Sequence, residues 1–205
     1  MCIRDRDYEA QRADTVDYNA TVILAYLHLL EMERNLDMLT ANLDSLPNKG
    51  KFSCANILLE LGRYDEAIEI YKILNEKTPK WSCPWRHLGE AYWRLGQLDD
   101  AVMALEKAIE TRETHYDAYV MLADVLRDRG DFARALETLE KGFTYYGKDI
   151  EDPDEEVDNL DVHFLYLDLL EKNGMTERAA KERALIEKMA PVSYTHLTLP
   201  TKRIV

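Results

Sequence analysis

Residues 82–115 read SCPWRHLGEAYWRLGQLDDAVMALEKAIETRETH, and two helical runs are legible in them. Trp85, Leu88, Tyr92 and Leu95 recur at i, i+3, i+7 and i+10, and Leu98, Ala101, Val102, Leu105, Ala108 and Ile109 follow the same rule. That spacing puts each apolar set on one face of an amphipathic helix. Gly96 stands between the runs, where the left-handed backbone that ends a helix costs glycine little. A turn this short makes the two helices antiparallel neighbours. Gly89 and Ala101 are small enough to let the two backbones approach, and a bulky side chain there would overpack the seam.

The same unit recurs on both sides. Gly62, Gly96 and Gly130 are each 34 residues apart, and Ala67, Ala101 and Ala135 each follow by five. A fourth copy, GMTERA at 174–179, comes after an insertion of ten. Units therefore start at Asn48, Ser82, Tyr116 and Leu160, giving repeats over 48–81, 82–115, 116–149 and 160–191 with an insertion at 150–159. Position 7 holds Cys54, Leu88, Leu122 and Tyr166; position 11 holds Leu58, Tyr92, Leu126 and Leu170; position 24 holds Tyr71, Leu105, Leu139 and Arg183. Arg183 and Thr176 stand where apolar or aromatic side chains are expected, so the last unit should be the looser one. Asp131, just after Gly130, is expected to cap the second helix of its unit. Over 7–47 the spacing of Ala20, Ile23, Leu24 and Leu27, then Leu36, Leu39 and Leu43, predicts a degenerate helical pair stopped by Pro47.

With Trp85, Leu88, Gly89, Tyr92, Gly96, Ala101, Leu105 and Ala108 in register, this pattern resembles the tetratricopeptide repeat family. Three consecutive copies in strict phase make the resemblance specific. It implies an all-α, right-handed α-solenoid of stacked helical hairpins. It also implies a protein- or peptide-binding scaffold whose first helices line a concave groove. Carrying the family's inward-facing positions 5, 9 and 12 onto this chain nominates Asn56, Arg86, Glu90, Trp93, Asp124, Arg127 and Asp168 as candidate groove residues. Trp85 already fills the structural tryptophan position, which leaves Trp93 to anchor a partner or to pack on a neighbouring helix. One subgroup of the family grips chaperone C-terminal carboxylates with a clamp of basic residues. Here its positions hold Phe52, Asn56, His87, Asp117 and Met121, only the asparagine matches, and such a clamp is not expected.

Composition narrows the partners. The chain has 205 residues and a formal charge of −13. Its ends resemble translated sequencing-library adapter: MCIRDR at 1–6 matches the transposase mosaic end, and VSYTHLTLP within 192–205 matches the opposite strand. Setting 1–6 and 192–205 aside leaves 22 basic and 38 acidic residues, a charge of −16, and makes 7–191 an internal piece of a longer protein. Such a chain repels phosphate backbones, so neither nucleic acid nor an anionic membrane surface is an expected partner, while basic or neutral polypeptides are. The apolar stretch Ala20 to Leu30 is broken by Thr21 and His28 and falls short of a membrane span.

Catalysis finds no foothold. There is no HExxH, GxSxG, phosphate loop or dinucleotide glycine pattern, and His28, His87, His115 and His163 are dispersed. No cofactor or metal is expected. Cys54 and Cys83 lie 29 apart without a CxxC pair, which reads as packing and leans to the cytoplasm, although the family's architecture also suits the periplasm. The acidic insertion carries Glu151, Asp152, Asp154, Glu155, Glu156 and Asp158, but lacks the glycine and closing glutamate of a calcium loop, so it reads as a solvated loop. The expected function is a non-catalytic scaffold or adaptor; the alternative is the substrate-recognition arm of a larger enzyme whose catalytic domain lies outside this stretch.

Overall fold

The computed structural model describes residues 40–146 and 160–189 together with Arg34, Leu36 and Asp37. Most of the 7–47 pair, the insertion at 150–159, and the adapter-like segments at 1–6 and 192–205 lie outside the described residues. From Asn48 on, the described residues form eight α-helices: α1 (Asn48–Glu60), α2 (Tyr64–Lys77), α3 (Ser82–Arg94), α4 (Leu98–Thr111), α5 (Tyr116–Arg129), α6 (Phe132–Phe143), α7 (Leu160–Lys172) and α8 (Thr176–Met189). A 3-10 turn at Leu43–Ser45 precedes them.

Each hairpin bends on its glycine. Gly62, Gly96, Gly130 and Gly174 have φ of 75°, 73°, 88° and 70°. At Gly96 the glycine N–H donates to the Trp93 carbonyl and the Gln97 N–H to the Tyr92 carbonyl, both at 2.9 Å. The same pair of bonds closes α1, α5 and α7 at Gly62, Gly130 and Gly174. This is the arrangement in which a left-handed residue satisfies carbonyls that a helix end leaves open. Asp131 corrects one expectation. It precedes α6 but makes no side-chain cap; its backbone has φ −90° and ψ 66° rather than the extended form of a capping residue, and its Oδ2 accepts from Arg129 Nη2 at 3.4 Å. What favours the starts of α2 and α4 instead is first-turn acid, Asp65 and Glu66 or Asp99 and Asp100, facing the helix dipole.

The seam between paired helices is built from small residues. Ala55, Ala67, Ala101, Ala123 and Ala135 are wholly buried. A methyl group on Gly89 would lie 2.5 Å from Leu105 Cγ, and one on Gly142 would lie 2.7 Å from Tyr119 Cβ, so these two glycines set how closely α3 meets α4 and α5 meets α6. Tyr71, Leu105 and Leu139, the three apolar residues at position 24, are fully buried.

Hairpins stack in chain order. Each second helix packs on the following first helix, and first helices also touch one another, α1 with α3, α3 with α5 and α5 with α7. Two apolar clusters fill the stack, one around Leu58, Tyr71 and Leu74, the other around Leu105, Leu126, Leu139 and Leu170, and Tyr92 packs on both. At the near end, Leu36 is buried against the first cluster and Asp37 pairs with Arg63 at 3.1 Å. At the far end, Phe143 meets Tyr166 edge to face at 5.2 Å and Asn173 Nδ2 donates to the Phe132 carbonyl at 2.9 Å, fastening the last hairpin to the third. That hairpin buries least: on α8 only Ala179 and Ile186 are buried, and Arg183 turns out to pair with Glu171. The fold is an all-α solenoid of helical hairpins.

Candidate functional site

Along the first helices, positions 2, 5, 9 and 12 lie on one stripe, because steps of three and four return to the same face. The stripe runs Phe52 and Asn56 on α1, Arg86, Glu90 and Trp93 on α3, Asp117, Val120, Asp124 and Arg127 on α5, and Asp161, Phe164, Asp168 and Glu171 on α7. All seven sequence-nominated residues therefore fall on this face, distributed over four helices.

Two of them are tied into the fold. Asn56 Oδ1 accepts from the hydroxyl of buried Tyr71 at 2.7 Å, so its carbonyl faces α2. Trp93 packs against the second apolar cluster and donates from Nε1 to Asp128 Oδ2 at 2.8 Å, which links α3 to α5. Both of its expected roles draw on the same surface, and packing is the one the geometry displays.

The other five carry charge. On α3, Glu90 lies between Arg86 (3.5 Å) and Arg94 (3.3 Å), with His87 Nδ1 3.7 Å away. Burial pushes the Glu90 carboxyl up, but the His87 contact and the positive Arg86 and Arg94 outweigh it and hold it below the ordinary carboxylate range. Burial lowers His87 in turn, so at neutral pH the cluster pairs an anionic glutamate with a neutral imidazole. On α5, Arg127 bridges Asp124 (2.9 Å) and Asp128 (3.1 Å). Asp168 on α7 is half-buried.

An aromatic group beside α1 was not anticipated. Phe52 lies 4.8 Å from Trp81 and 5.2 Å from His87, and His87 stacks on Tyr71 at 5.8 Å. Trp81 and His115 are 34 residues apart, each at the corner before a first helix, and that shared register is the signal in the sequence that could have located both. His115 is 5 % exposed, and its Nδ1 has no hydrogen-bond partner among the described residues.

On the opposite side a shallow cleft between α4 and α6 is floored by Tyr119 and Leu122. Its cations are engaged, Arg134 with Glu106 and Lys141 with Glu113. Among the described residues no three His, Cys, Asp or Glu side chains are grouped to hold a metal, and no helix is long and apolar enough to cross a membrane.

Comparison with known proteins agrees with this geometry. The profile described as tetratricopeptide repeat matches residues 82–148, and a second of the same description matches 52–79. Mouse (Mus musculus) tetratricopeptide repeat protein 21A is 29 % identical over 147 residues, covering 66 % of this chain but 10 % of the relative, so the chain spans about a tenth of that protein's length. Among solved structures, MamA superposes with a TM-score of 0.61 at 20 % identity, over 74 % of this chain and 82 % of its own. YrrB, described as a TPR protein with an unusual peptide-binding site, superposes with a TM-score of 0.60 at 19 % identity, over 76 % and 74 %. At such identities the likeness establishes the fold.

Proposed function

Residues 52–79 and 82–148 belong to the tetratricopeptide repeat family, and from that premise we propose that this chain is a non-catalytic scaffold whose first helices form a concave groove for a polypeptide segment. The observation that carries the reading is the packing of each first helix on the next, through contacts such as Trp93 with Asp128. First helices drawn together lie on the inner side of a curved stack, and a stack of this kind offers an extended surface rather than an enclosed pocket. The surface mixes polar side chains, most of them half-buried, with apolar ones such as Phe52, Val120 and Phe164, which suits a partner that is itself a chain of mixed polarity.

Selection from a random-peptide display library tests this. Peptides recovered on the wild-type protein should lose affinity roughly tenfold or more for Arg86→Glu combined with Asp124→Lys, since reversing groove charges disrupts docking. They should bind unchanged to Met103→Gln, which alters an exposed residue on α4. Equal binding to all three proteins, or recovery of no peptide, contradicts the proposal.

A further inference from the structure

We infer that the junction between the second and third hairpins is an ionic hinge: three ion pairs across the cleft between α4 and α6 hold the stack closed on that side, and weakening them turns one hairpin against the other about α5. The hinge belongs to the stack alone, whatever the stripe of first helices binds.

The pairs form a ladder. Asp99, Glu106 and Glu113 stand seven residues apart, about two helical turns, and so follow one stripe along α4 to the corner just past its end. Asp99 meets Arg129 at 3.2 Å, Glu106 meets Arg134, and Glu113 meets Lys141 at 3.5 Å. Each acid of the ladder belongs to the second hairpin and each base to the third. At the next junction Glu140 with Arg178 repeats the middle rung, but Ala133 stands where Asp99 would be. At the preceding junction Lys72 and Lys107 turn to Glu69 and Glu110 on their own helices, and His87 joins the hairpins through its ring contacts with Phe52 and Tyr71.

What the ladder spans is a gap. A cleft of about 460 Å³ separates α4 from α6, with Tyr119 and Leu122 of α5 at its floor. The other side of the junction is packed: α3 touches α5, Trp93 Nε1 donates to Asp128 at 2.8 Å, and Ala101 and Leu105 share a buried cluster with Leu122 and Leu126. Gly142 lies so close to Tyr119 that α6 follows α5, and the third hairpin moves as a body. Exposed ion pairs are individually weak and are screened by salt, which the apolar seam is not, so the ladder is the part that yields. When it yields, α4 and α6 spread, the first helices bend toward one another, and the stripe changes shape between α3 and α5.

Spin labels test this. In protein carrying Cys2→Ser, Cys54→Ala and Cys83→Ser, one label pair is placed at Met103→Cys and Glu137→Cys, across the ladder. A second, at Glu76→Cys and Met103→Cys, spans the preceding junction. Distances are read by double electron–electron resonance between about 0.01 M and about 1 M salt, over which the screening length falls from about 30 Å to about 3 Å. The distance across the ladder should lengthen by several ångströms with salt, and the other should not. Asp99→Lys with Glu106→Lys and Glu113→Lys should lengthen it already at low salt, and adding Arg129→Glu, Arg134→Glu and Lys141→Glu should restore it. A ladder distance that ignores salt, or an equal change at the preceding junction, overturns the inference. So does a swapped ladder that fails to restore the distance in protein of native helix content. Where a reversed-charge protein does not fold, the salt series decides on its own.

Discussion

Asn75 on α2 is 4 % exposed, and neither its side-chain oxygen nor its nitrogen has a hydrogen-bond partner among the described residues. A buried polar group in that condition keeps its desolvation cost without recovering it. Asn75→Leu, close in shape, should therefore raise stability by about 1–3 kcal/mol in chemical denaturation; an unchanged or lower midpoint would show that the amide is satisfied. His115 makes a second prediction. Burial, with Arg112 and Arg86 close by, pushes its imidazole down to about 3. Unfolded, the same imidazole takes its proton near pH 6.5, so between those values the unfolded chain binds more protons than the folded one. The contribution of His115 to stability is thus full above about pH 6.5 and is lost as pH falls toward 3. Replacing it with glutamine should flatten the stability–pH curve in that window by up to about 1.4 kcal/mol per pH unit, measured by urea titration at each pH. An identical slope would contradict the buried neutral state. The register shared with Trp81 marks the position of His115, but the burial of Asn75 and His115 was not legible in the sequence, because it arises from the packing of whole helices on one another.

Within a hairpin, far more was legible. Gly62, Gly96, Gly130 and Gly174 mark their turns because each must take a positive φ that other residues resist. The alanines at the seam announce themselves because backbones in contact leave no room for larger groups. Ala101 is wholly buried there, and Ala101→Leu should cost about 1–3 kcal/mol in thermal or chemical unfolding, with an unchanged midpoint counting against the register. The divergence of the last unit was equally readable at Arg183, which no buried seam could hold and which lies outward against Glu171. What failed at this scale was the capping role given to Asp131. A single side chain can bond in several directions, and Arg129 takes the carboxylate instead.

At the scale of the molecule, the repeat period conveys the stack but not the pairing across it. Trp93 and Asp128 are 35 residues apart, and their hydrogen bond follows from how α3 sits against α5 rather than from either local sequence. The same holds for Asn56, whose carbonyl is taken by Tyr71 on α2. All the nominated residues share one stripe because the register places them on equivalent helical faces, while their ion pairs depend on which charges happen to fall three or four residues away. The central claim is that this stripe is where a polypeptide lies. Backbone amide chemical-shift mapping with a peptide selected on the wild-type protein tests it most directly. Shifts concentrated on α3, α5 and α7, around Arg86, Asp124 and Asp168, are the predicted result; shifts concentrated on α4 and α6, or scattered without regard to helix, would contradict it.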